Sequence, residues 1–151
     1  ADTWYKQTGG LAQITLVYDL DFDDMIGMNQ LFTSGANLVV RRDSDDAIVQ
    51  ASDEQSDCDG CVLGWMNAGG LHGPGHQPIH GAFVVDRHPE LQLSVMLHEF
   101  GHFLGVAHVG AYQAIMFPSV HPLRTNCLKR PDLAAFCDAN ECDGRKMYPC
   151  E

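Results

Sequence analysis

The chain has 151 residues, the size of one domain, here taken as a single unit over residues 1–151. Twenty acidic residues against nine basic ones leave a net charge of −11, and such a surface repels phosphate backbones and anionic membranes, so nucleic acid and membrane are excluded as partners. A hydrophobic content of 45% excludes wholesale disorder, and no apolar run approaches the ~20 residues that span a bilayer.

The opening Ala1-Asp2-Thr3-Trp4 has neither the basic start nor the apolar stretch of a signal peptide, so either a mature, processed form or an excised piece is expected. Residues 13–20 (QITLVYDL) are rich in β-branched and aromatic side chains and predict a strand. Asp21, Asp23 and Asp24 offer caps for a helix beginning near Met25, with Met25, Met28, Leu31 and Phe32 at helical spacing. It reaches at least Thr33, and either Gly35 ends it or it runs on to Val40. Residues 47–51 read as a short strand, 52–61 as an acidic loop and 62–66 as a third strand. Residues 67–78, with four glycines and two prolines, read as loop. Residues 79–85 predict another strand, with Gly81 where a close approach to the backbone is possible.

Pro89 and Glu90 then open a helix, Pro at its first position and Glu at the positive end of its dipole. Leu91, Leu93, Val95, Met96, Leu97, Phe100, Phe103 and Leu104 make it apolar nearly all round, so it is expected to be central and buried, with Gly105 ending it. Pro131 to about Asp138 predicts a last helix. The six cysteines, Cys58, Cys61, Cys127, Cys137, Cys142 and Cys150, are an even number and read as three disulfides of an extracellular protein; fifteen pairings are open. Cys58 is expected to bridge to Cys61 or to the C-terminal group.

The central helix carries His98-Glu99-Phe100-Gly101-His102. Four residues advance a helix by about 400° and 6 Å, so both imidazoles share a face and can bind one ion. Glu99 lies beside that face, where a carboxylate can take a proton from water at the metal. A catalytic zinc needs a third protein ligand and an open fourth position. Gly105 can turn the chain in the left-handed conformation, and His108 returns three residues later. The string HEFGHFLGVAH fits H-E-x-x-H-x-x-G-x-x-H.

With Ala114-Ile115-Met116-Phe117-Pro118 following, the chain resembles the metzincin zinc endopeptidases, and most of all their matrixin branch. The resemblance implies an α/β (α+β) fold. A twisted, mostly parallel sheet with one antiparallel edge strand would lie above the active-site helix. The upper subdomain would span about residues 1–105, and a small lower one, about 106–151, would carry a Met-turn at Met116 and a helix. It implies catalytic Zn2+ on His98, His102 and His108, Glu99 as general base, and a protein or peptide substrate. The strand at Ile79, His80, Gly81, Ala82 and Phe83 is expected to be the edge that pairs with extended substrate. Residues 117–121 are expected to shape the pocket for the side chain after the scissile bond.

The departures are Val109, where matrixins usually carry Ser or Thr, and the cysteines, which matrixin catalytic domains normally lack. His72, His76 and His80 leave a second zinc open beside the plainer reading as loop residues. The acidic clusters at Asp19–Asp24 and Asp43–Asp46 leave calcium open beside solvated turns, since neither has the EF-hand pattern. The expected protein is a secreted, monomeric zinc endopeptidase. Narrow processing or glycoprotein-directed cleavage is the alternative within enzymes, and a non-catalytic zinc-bearing module the alternative outside them.

Overall fold

The computed structural model describes residues 2–12, 38–42, 64–72, 78–84, 89–120 and 124–151. The expected strands at 13–20 and 47–51, the helix from Met25, both acidic clusters, His76 and the Cys58/Cys61 pair lie outside these residues. In chain order the elements are α1 (Asp2–Gln7), β1 (Leu38–Arg42), β2 (Gly64–His72), β3 (Pro78–Val84), a 3-10 turn (Pro89–Leu91), α2 (Gln92–Phe103) and α3 (Arg130–Asn140).

The three strands lie in the order β1-β3-β2. β1 runs parallel to β3, pairing Leu38 with His80 through Arg42 with Val84. β2 runs antiparallel, pairing Gly64 with Val84 and His72 with Pro78. Three expectations are corrected here. No helix reaches Val40, because the run Leu38-Val39-Val40 is strand, as β-branched residues favour. The glycine-rich stretch after Met66 is strand as far as His72, not loop. Its register jumps from Asn67 opposite Gly81 to Leu71 opposite Ile79, so Gly69 and Gly70 sit in a bulge, where the absence of a side chain is tolerated. Finally, Ile79, His80, Gly81, Ala82 and Phe83 do not form an edge: β3 has a neighbour on each side, and the antiparallel edge among the described strands is β2.

α2 packs against β2 and β3. It presents Val95, Leu97 and Phe100 to the core, while Leu93 is exposed, against the expectation of burial all round. Leu97 and Phe100 join Trp4, Val106, Ile115, Met116, Leu128, Leu133 and Phe136 in one buried cluster. The core thus sits below α2, between it, the turn at Met116 and α3.

α1 has only six residues, too short to be stable on its own. Two side chains hold it. Trp4 is fully buried, donates its indole N–H to the Leu97 carbonyl at 2.9 Å and packs on Phe136 at 5.8 Å. Gln7 donates to the carbonyls of Leu128 (3.2 Å) and Tyr148 (2.8 Å) and accepts from the Leu128 N–H at 2.9 Å. These contacts tie α1 to the C-terminal segment, where Cys127–Cys150 and Cys137–Cys142 are disulfide-bonded. α3 matches its expected position and has Pro131 in its first turn. Asn140 at its end donates to the Leu104 carbonyl at 2.8 Å, capping the end of α2.

Candidate metal centre and active site

α2 ends where the metal motif needs a turn. Gly105 takes φ +81, a conformation a Cβ would strain. Its N–H donates to the His102 carbonyl at 2.9 Å, and the Val106 N–H donates to the Gly101 carbonyl at 2.9 Å, a Schellman closure. This turn carries the Val106 carbonyl over His102, which donates its Nδ1–H to it at 2.9 Å. The same reversal brings His108 back to the helix.

The three imidazoles meet at their Nε2 atoms. The separations are 3.1 Å between His98 and His102, 3.1 Å between His102 and His108, and 3.2 Å between His98 and His108. His98 directs Nδ1 at the Ile115 carbonyl, 2.7 Å away. A carbonyl only accepts, so His98 and His102 both carry the proton on Nδ1 and present bare Nε2 lone pairs. Two bare acceptors 3.1 Å apart cannot bond to each other, and a cation between them removes the repulsion. Zinc–nitrogen bonds of about 2.0–2.1 Å in a tetrahedron give nitrogen–nitrogen edges of about 3.3–3.4 Å, close to the observed triangle. The residues fit zinc, and among the described residues they are the only cluster of His, Cys, Asp and Glu with metal-binding geometry.

Electrostatics keep the ligands neutral. Burial pushes the His98 pKa down to about 3; the charge of Arg124 and the neighbouring histidines add to this, and the bond to Ile115 opposes it. Burial also lowers His102 and His108. Unprotonated imidazole is the form that binds metal. Glu99, next to His98 on α2, is 4% exposed. Burial raises its pKa to about 8, and Arg124 pulls the other way. A divalent cation at the three nitrogens adds to that pull and favours the carboxylate.

Met116 is fully buried and lies under α2 at Gly101. A Cβ at Gly101 would come within 2.9 Å of Met116 Cε and 3.0 Å of the Trp4 ring, and would also meet Met116 Sδ. Gly101→Ala gains about 1 kcal/mol of helix propensity but overpacks this contact at about 1–3 kcal/mol. A lower melting temperature than wild type is expected by calorimetry; an equal or higher one would show that Met116 yields freely.

Two residues that sequence reasoning passed over complete the centre. Asp132 is fully buried on α3. It accepts the N–H groups of Met116 (2.8 Å), Ile115 (3.0 Å) and Lys129 (2.7 Å). Arg124 reaches in from the chain before α3, and its Nη2 donates to the carbonyls of Ser94, at 3.1 Å, and Ile115. Val109 packs against the core and donates its N–H to the Met116 carbonyl at 2.9 Å. Tyr112 is half exposed.

Comparison with known families matches the matrixin family of peptidases over residues 36–137, about two thirds of the chain. The protein belongs to the matrixin family and is a zinc metalloendopeptidase with an α+β fold, its catalytic zinc held by the histidine triad. Comparison with curated proteins found no significant match.

Proposed function

We propose that this matrixin is a secreted, monomeric endopeptidase whose single domain divides near Gly105 into an upper part and a lower part. The observation that carries the catalytic reading is the convergence of the three Nε2 atoms, those of His98 and His102 bare, beside the buried carboxyl group of Glu99. Bound zinc supplies the Lewis acid that polarises the scissile carbonyl and acidifies water. His98, His102 and His108 would hold it, with Nδ1 of the first two fixed by backbone carbonyls. Glu99 takes the proton of the attacking water and passes it to the leaving amine nitrogen. Its low exposure keeps bulk water from competing for that proton. An extended substrate would add to the sheet at the outer edge of β2, because β3 is paired on both sides. The disulfides support an oxidising, extracellular setting.

Purified protein is expected to hold about one zinc, as three-histidine sites do. Removal by phenanthroline is expected to abolish peptide cleavage, and added zinc to restore it. Full turnover by protein shown metal-free by elemental analysis would sink this reading.

A further inference from the structure

The carbonyl of Ile115 has two partners. His98 Nδ1 lies 2.7 Å from it, and Arg124 Nη2 donates to it as well. An sp² oxygen has two lone pairs, so both bonds can be held together. The second N–H of Arg124 Nη2 goes to the Ser94 carbonyl at 3.1 Å, one helical turn before His98 on the same face of α2. One nitrogen therefore bridges the helix that carries His98 and the turn that orients it. The guanidinium is partly buried; its Nε has no partner among the described residues, and none of their carboxylates forms an ion pair with it. The carboxylates of Asp132 and Glu99 favour its charge without ion-pair contact, and its two observed bonds both end at backbone groups around His98.

We propose that Arg124 is a positioning residue for the metal centre, locking the Ile115 carbonyl to α2 so that His98 keeps its Nδ1 bond and aims Nε2 at the metal. This rests on the zinc reading of the three histidines. Asp132 grips the N–H side of the same turn, so the carbonyl side depends on Arg124. His102 is oriented by the Val106 carbonyl, which Arg124 does not touch. Loss of Arg124 should therefore disturb one imidazole and spare the other, a selectivity that a general loss of packing does not produce.

The test uses the full chain loaded with Co2+ in place of zinc and reads the exchangeable imidazole N–H resonances by paramagnetic NMR. In the wild type, the His98 and His102 N–H signals are expected to exchange slowly with solvent. In Arg124→Met the His98 signal is expected to shift and exchange faster while the His102 signal holds. Zinc affinity should fall about tenfold, the lower end for groups that orient a ligand. Arg124→Lys keeps the charge and N–H donors, loses the orphaned Nε–H, and should fall between wild type and Arg124→Met on both readouts. If Arg124→Met does not fold, the Lys variant decides by the same His98-against-His102 contrast. Unchanged signals, or equal changes in both, overturn the proposal. A wild type that binds neither Co2+ nor zinc overturns the metal reading itself, and this inference falls with it.

Discussion

Glu99→Gln is expected to leave the zinc in place and to remove nearly all peptide hydrolysis. The metal is held by three neutral imidazoles, two of them fixed by the Ile115 and Val106 carbonyls, and none of these contacts involves Glu99. Glutamine fills the same buried volume, so the helix and the core around Leu97 and Phe100 have no reason to move. The amide cannot accept the proton of the attacking water, and general-base catalysis is typically worth about 10² to 10⁴ in rate. Because the same carboxylate returns the proton to the leaving amine, the loss should fall at the upper end. His102→Ala, by contrast, removes a ligand and should lose metal and turnover together. Elemental analysis and hydrolysis of a reporter peptide, run on both variants, separate the two roles. If Glu99→Gln keeps more than about a tenth of wild-type turnover, a loss too small for removal of a general base, the assigned role is wrong.

The metal centre was legible in the sequence because its chemistry is local. Three ligands fall within eleven residues, on one helix face and one glycine-dependent reversal, and helix periodicity with the φ +81 of Gly105 reproduces that arrangement. Its support was not legible, because the supporting residues come from afar. Asp132 grips Met116 across 16 residues, and Arg124 meets Ser94 across 30. Neither separation leaves a pattern in the chain. α1 was missed for a related reason. Its six residues show no periodicity, and what holds it is tertiary, above all the indole of Trp4 on a carbonyl 93 residues away. Strand order is likewise non-local. The residues at 79–85 predict a strand but not its neighbours, so an edge expected at β3 falls instead on β2, which the glycine-rich stretch carries on to His72.

Asp132→Asn tests how far that distant support carries, and a loss of stability well beyond a surface change is expected. The carboxylate is fully buried. Its Oδ1 accepts the Met116 N–H at 2.8 Å; its Oδ2 accepts those of Ile115 at 3.0 Å and Lys129 at 2.7 Å. Asparagine has the same shape but only one acceptor atom. The better orientation leaves its oxygen on Ile115 and Lys129 and turns an N–H2 group toward the Met116 N–H, donor against donor. A buried donor stripped of its acceptor costs about 1–3 kcal/mol, and the two surviving bonds weaken from charge-assisted to neutral ones. The sum, roughly 2–4 kcal/mol, is a large share of the 5–15 kcal/mol that holds a domain together, and should lower the melting temperature by on the order of 10 °C. The effect also reaches the metal. The displaced Met116 amide adjoins Ile115, whose carbonyl orients His98. Zinc measured on the folded variant, below its transition, should therefore bind more weakly than in wild type. A melting temperature within about 2 °C of wild type, less than 1 kcal/mol for a chain this long, would show that the turn under the metal holds its shape without the carboxylate.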